Sequence, residues 1–231
     1  MSVTDALRTI APVQGFRERA HPDALFRASM LGYCPRKQLL SAKGVDLKLS
    51  DWTLRKYSMH GGAHDQVQNW LDACLSPHYD VALEHKIYDP LTRCGGHIDA
   101  VVVGDTLTYV VEIKTYQFLP PQGPKEDSYW QHQISFYYAT VTAQQDLSIV
   151  QPIVLIVTMD GSIRVVEPKI TDGYKTILTD LNGAWDLDIL PSYLDCRSDD
   201  CKKCNLQTVC TEPIDTVTEF AEEVTRRAIQ E

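Results

Sequence analysis

The chain has 231 residues, 44% of them hydrophobic and 23% charged, with a formal net charge of −9. These are ordinary globular values that set aside collagen, coiled coil and disorder, and no stretch reaches the ~20 apolar residues of a bilayer-spanning helix. The acidic average hides a segregation. Residues 1–60 carry ten basic side chains, Arg36 and Lys37 among them, against five acidic ones, a balance suited to following a phosphate backbone. The opening MSVTDALRTIAPVQ has Asp5 early and no apolar run before a small-residue cleavage site, so no membrane association and a cytoplasmic location are expected, a host cytoplasm if the source is viral.

Along the chain, residues 16–80 read as mainly helical and basic, with breaks near Cys34-Pro35 and around Gly61-Gly62. Val67, Trp70, Leu71, Cys74 and Leu75 form the apolar stripe of a helix that starts between His60 and His64. Residues 81–88, 95–103 and 107–116 are rich in β-branched and aromatic side chains, and Gly104-Asp105 supplies a turn between the last two, which predicts a strand meander. A Pro/Gly-rich loop at 119–127 leads to a helix over Ser128 to Gln144, with Trp130, Ile134, Tyr138 and Val141 on one stripe. Strands are expected at 149–158 and 162–168 around the Asp160-Gly161 turn, then a helix over Thr171 to Leu187. Residues 191–231 read as a cysteine-rich segment and a terminal polar helix. The prediction is a single α/β domain over 1–231 with its core at 81–190.

The chemistry concentrates in one hairpin. If Gly104-Asp105 closes a loop of two or four residues, paired numbers sum to 209 or 211, so Asp99 and Glu112 are diagonal or direct neighbours on one face. Lys114 joins that face, while Ile98, Ala100 and Val102 with Tyr109, Val111 and Ile113 form the opposite, apolar one. Two adjacent carboxylates repel, and one ammonium does not offset both; Mg²⁺ or Mn²⁺ is the natural companion. A cation so held activates a phosphodiester for hydrolysis, with Lys114 orienting or helping to deprotonate the water and stabilising phosphoryl charge.

His64 after Gly61-Gly62, the G-x-I-D at Gly96–Asp99, the E-I-K at Glu112–Lys114 and the Q-I-S-F-Y at Gln133–Tyr137 resemble the motifs of the PD-(D/E)XK nuclease superfamily, in its RecB-like branch, in family order over residues 60–140. The resemblance implies a restriction-endonuclease-like core in which a mixed sheet is flanked by helices. It also implies that His64, Asp99, Glu112 and the Ile113 carbonyl are metal ligands, that Lys114 is catalytic, and that Gln133 and Tyr137 flank the site and contact DNA. His60, one helical turn before His64, is an alternative ligand. Glu84 reads as an outer carboxylate or as decoration of an edge strand, and His97 takes a place where such nucleases often carry a basic residue.

Seven cysteines in a reducing compartment point to metal rather than disulfides. Cys201-x2-Cys204-x5-Cys210 supplies three thiolates, with Cys196 or the remote Cys34 as fourth ligand; Cys74 and Cys94 read as ordinary buried residues. The split arrangement, with Pro35-Arg36 after the first cysteine, resembles that of the iron-sulfur RecB-like nucleases, including CRISPR-associated Cas-four exonucleases. That resemblance implies a [4Fe–4S] cluster on Cys34, Cys201, Cys204 and Cys210, the alternative being a structural Zn²⁺ completed by Cys196. It further implies an exonuclease acting on single-stranded or frayed DNA ends, 5′ to 3′, guided by Arg36 and Lys37 and with Tyr137 or Trp130 stacking a base. Partners would be DNA and proteins of repair, recombination or CRISPR adaptation. The competing reading is a non-catalytic DNA-end-binding or adaptor subunit.

Overall fold

The computed structural model describes residues 19–45, 51–119, 130–144, 149–192, 204 and 206–230. Phe26–Arg27 forms a short strand, β1, before helix α1 (Pro35–Ala42), where Pro35 occupies the first turn and its missing N–H costs nothing. The long helix α2 spans Asp51–Leu75. The meander follows as β2 (Asp80–Asp89), β3 (Cys94–Val103) and β4 (Leu107–Tyr116). Helix α3 (Gln131–Gln144) leads to β5 (Ile149–Thr158) and β6 (Ile163–Val166), then to α4 (Gly173–Asp186), the single turn α5 (Gln207–Cys210) and α6 (Val217–Gln230). No helix among the described residues is long and apolar enough to cross a membrane.

The strands form one mixed six-stranded sheet in the order β1-β3-β4-β5-β6, with β2 on the other edge of β3. β4 and β5 are parallel, and α3 makes the crossover between them. Helix α2 covers one face through Val67, Leu71 and Leu75, packed on Ala100, Val102, Val111, Ile113 and Val157. The opposite face carries the larger core, in which Ile134, Phe136 and Tyr137 of α3, Leu178 of α4 and Phe220 of α6 meet Val110, Val154 and Ile156. The arrangement is an α/β fold with helices on both sides of the sheet.

Several expectations change. Gly61-Gly62 does not break the helix: α2 runs through both, since a glycine costs a helix only ~1 kcal/mol and packing on the sheet outweighs that. The stripe on α2 is narrower than expected, because Trp70 and Cys74 are exposed while Val67 is buried. β1 lies inside the segment read as helical. It pairs parallel with the start of β3, Phe26 with Cys94 and Arg27 with Gly95, so the basic region contributes a strand to the core sheet.

The β3–β4 ladder has the register sum of 211, from Val103↔Thr108 to Ala100↔Val111, and stops there. Ile98 then packs in the larger core rather than with Ala100 and Val102, contrary to the alternation expected of a regular strand. The reason is local. Beyond Ala100 the two strands separate, β1 takes the edge of β3 at Cys94 and Gly95, and the strict period of two lapses across the gap.

Candidate active site

The gap between β3 and β4 opens into a cavity of about 320 Å³ lined by His60, His64, Asp99, Glu112, Ile113 and Lys114, with Gln133 and Tyr137 behind them. Asp99 is buried at the splay point, and its Oδ2 accepts the backbone N–H of Ile113 at 2.6 Å, replacing a ladder bond by a side-chain bond. The same oxygen lies 3.1 Å from His64 Nε2, which α2 delivers from the other side. His60 instead approaches Thr115 Oγ1 through Nδ1 at 3.4 Å.

Glu112 is 4% exposed. Its Oε1 accepts from Lys114 Nζ at 2.7 Å, whereas Oε2 is buried with no hydrogen-bond partner among the described residues. An orphaned carboxylate oxygen in a low-dielectric site is costly, and either protonation or a bound cation would relieve it. Burial pushes the Glu112 carboxyl up, Asp99 pushes it further and Lys114 opposes both, leaving it at about 7. Burial disfavours the Lys114 ammonium, but Glu112, with its hydrogen bond, and Asp99 more than offset that, so the net direction is upward. Lys114 is therefore an ammonium, suited to orienting a ligand and stabilising negative charge.

Lys114 also donates to Gln133 Oε1 at 2.9 Å; Gln133 Nε2 donates to the Tyr137 hydroxyl at 3.1 Å; that hydroxyl donates to the His97 carbonyl at 2.9 Å. The relay ties the ammonium to the backbone of β3. Burial, with Glu112 second, pushes the Tyr137 phenol well above its usual range, so it remains a donor. Gly96 makes room for the ring: a Cβ there would lie 2.7 Å from Tyr137 Cε1 and 2.9 Å from Ala28 Cβ.

This arrangement corrects three expected DNA contacts. Tyr137 is 1% exposed and Trp130 2%, so neither ring can stack on a base; Tyr137 acts through Gln133 instead. Arg36 is 5% exposed, with Nε on the Pro191 carbonyl at 2.7 Å, Nη1 on the Cys210 carbonyl at 3.0 Å and its guanidinium over the Phe220 ring. It fastens α1 to the C-terminal segment and is unavailable to a strand. Lys37, half-buried on α1, does not line the cavity. Gln133 does line it, although its amide is spoken for by Lys114 and Tyr137.

Some residues at the site were not singled out by the sequence. Arg19 and Arg27 also line the cavity. Tyr33 is half exposed. Tyr33 adjoins the cysteine that precedes α1, and that adjacency was its only signal. Glu84, which the sequence did offer as an outer carboxylate, is brought beside His64 and Asp99, with one ligand atom of each within 4.8 Å of the others.

Away from the cavity, Cys34, Cys204 and Cys210 share one neighbourhood. Burial raises the Cys210 thiol, Arg36 lowers it, and Cys34 and Cys204 raise it again. The donor set fits a thiolate-ligated metal group as far as it is described; Cys196 and Cys201 lie outside the described residues. Cys94 is buried and its thiol pushed far up, first by burial and then by Asp89, so it is inert; Cys74 is exposed rather than buried.

No family model matches the chain, and no curated protein matches it. Among solved structures, the crystal structure of SSO0001 is similar over 93% of this chain and 98% of that one, at 15% sequence identity and a TM-score of 0.55. At that identity the likeness concerns the fold: the α/β architecture with a mixed sheet between helices is shared with SSO0001 over nearly the whole of both chains.

Proposed function

We propose that the protein is a metal-dependent deoxyribonuclease of the PD-(D/E)XK type, acting on free DNA ends. The observation that carries this reading is the centre itself: two buried carboxylates, one with an unpartnered oxygen, beside an ammonium held by a three-member hydrogen-bond relay. Asp99, Glu112, the Ile113 carbonyl and His64 would hold Mg²⁺ or Mn²⁺, which when bound polarises a phosphodiester and makes a water nucleophilic at neutral pH.

The chain's own residues do the rest. Glu112 divides its two oxygens, Oε1 to Lys114 and Oε2 toward the cation-binding side. Lys114 donates to phosphoryl oxygens as negative charge builds on them, and the Gln133–Tyr137 relay fixes its position beforehand, so little reorganisation accompanies reaction. Arg19 and Arg27, which line the cavity, neutralise flanking phosphates. These take over the role expected of Arg36.

The gathering of Cys34, Cys204 and Cys210 supports a [4Fe–4S] cluster that fastens the start of α1 to the C-terminal segment, with Cys201 as the expected fourth ligand. The function is tested with end-labelled linear and circular DNA, single- and double-stranded, incubated with Mg²⁺ or Mn²⁺. Degradation of linear single strands with circles spared supports an end-directed nuclease. A wild-type protein inert with every substrate and metal overturns it in favour of the adaptor reading.

A further inference from the structure

We propose that Arg36 is the buried counter-charge of the thiolate-bound group at Cys34, Cys204 and Cys210, and that its guanidinium sets the reduction potential of that group. The inference rests on the [4Fe–4S] reading above and deepens it.

Arg36 is 5% exposed. Among the described residues its oxygen acceptors are two backbone carbonyls, that of Pro191 at 2.7 Å and that of Cys210 at 3.0 Å, and no carboxylate stands with them. Its guanidinium lies over the Phe220 ring, 5.4 Å from the centroid. Glu212, two residues after Cys210, is taken up by Arg227. A guanidinium removed from water costs several kcal/mol unless an anion accompanies it, and two carbonyl dipoles with a ring face replace that anion only in part. The position adds to the cost. Arg36 is the second residue of α1, where the unpaired N–H groups of the first turn repel a cation, and no acidic residue stands in that turn.

What stands beside this cation is sulfur. Cys34 immediately precedes α1, and Cys204 and Cys210 come to the same place from the C-terminal segment, where Arg36 acts on the Cys210 side chain and favours its thiolate. Four thiolates leave an iron-sulfur group net negative in both oxidation states, and that is the anion the guanidinium otherwise lacks. The reduced group carries one more negative charge than the oxidised one. Arg36 therefore stabilises the reduced form more and raises the potential, and burial strengthens the effect because little water screens it. The carbonyl contacts that fasten α1 to the C-terminal segment also hold the charge at a fixed place beside the sulfurs.

The test is an anaerobic redox titration of the full-length protein, followed by visible absorption and electron paramagnetic resonance, with iron, sulfide and zinc counted per chain. Arg36→Gln removes the charge and keeps an amide donor, whereas Arg36→Lys keeps the charge and loses the fork. At a given applied potential the ratio of reduced to oxidised group should fall at least ~10-fold in Arg36→Gln, a shift of about −59 mV for a one-electron couple, and stay within about threefold of wild type in Arg36→Lys. Equal potentials in wild type and Arg36→Gln, or a shift as large in Arg36→Lys as in Arg36→Gln, overturn the inference and leave the cluster standing. If Arg36→Gln holds no cluster, retention decides: a cluster kept by Arg36→Lys supports the role of the charge, and a cluster lost from both variants overturns it. A colourless, zinc-loaded wild type overturns the cluster reading and the inference with it.

Discussion

The Asp99 carboxylate accepts the Ile113 backbone N–H at 2.6 Å across the point where β3 and β4 part. That contact fixes the Ile113 peptide between Glu112 and Lys114 and sets the spacing of all three groups. A side chain that substitutes for a ladder bond holds the strands apart while keeping them joined, which is how a sheet edge becomes a cavity wall.

Tyr137→Phe separates positioning from catalysis. It removes the hydroxyl between Gln133 and the His97 carbonyl and takes from the buried Gln133 amide its acceptor, at about 1–3 kcal/mol. Melting should show that loss, and the turnover number should fall about tenfold with little change in the KM for DNA, since Tyr137 reaches substrate only through Gln133 and Lys114. A raised KM with unchanged turnover would instead mark Tyr137 as a DNA contact.

Gly96→Ala tests the packing behind that relay. A methyl group 2.7 Å from the Tyr137 ring and 2.9 Å from Ala28 forces a shift on both sides, for about 1–3 kcal/mol of destabilisation measured by urea unfolding. An unchanged midpoint would mean that the ring does not lie against Gly96.

Arg36→Ala should behave as a structural lesion. Its loss strands the Pro191 and Cys210 carbonyls and removes the contact with Phe220, costing about 2–4 kcal/mol in melting experiments. The salt dependence of DNA affinity should not change, whereas losing a true phosphate contact would reduce that slope by about one.

The metal-free protein should lose stability as pH rises through neutrality. The folded Glu112 value of about 7 exceeds the ordinary 4.5, so its contribution is complete below pH ~4.5 and disappears as pH rises through 7. The total is on the order of 3 kcal/mol. Without metal, Glu112→Gln should therefore melt higher than wild type at pH 8 and no higher at pH 4. A difference independent of pH would contradict the buried-carboxylate account.

The sequence carried the hairpin well, because β-branched alternation and the Gly104-Asp105 turn fix which residues can face each other; Asp99, Glu112 and Lys114 follow from counting. It left Glu84 open between an outer carboxylate and an edge-strand decoration, because its placement depends on its own left-handed backbone and on Gln68 from another element. Tyr137 was misread because α3 is buried over consecutive residues from Gln133 to Tyr137, so its stripe marks no single face. Arg36 was misread for a similar reason: a cation in a basic segment looks solvent-facing until the distant carbonyls of Pro191 and Cys210 are brought to it. The pairing of β1 with β3 is equally long-range, and two residues are too few to show a period.

The central claim is that Lys114 and the two carboxylates form a hydrolytic centre. Its most direct test is cleavage of end-labelled single-stranded DNA in Mn²⁺ by wild type and Lys114→Ala, compared at equal folded concentration. The account predicts cleavage by wild type that chelation abolishes, and a loss of at least about 100-fold in the variant. Undiminished cleavage by Lys114→Ala would contradict it.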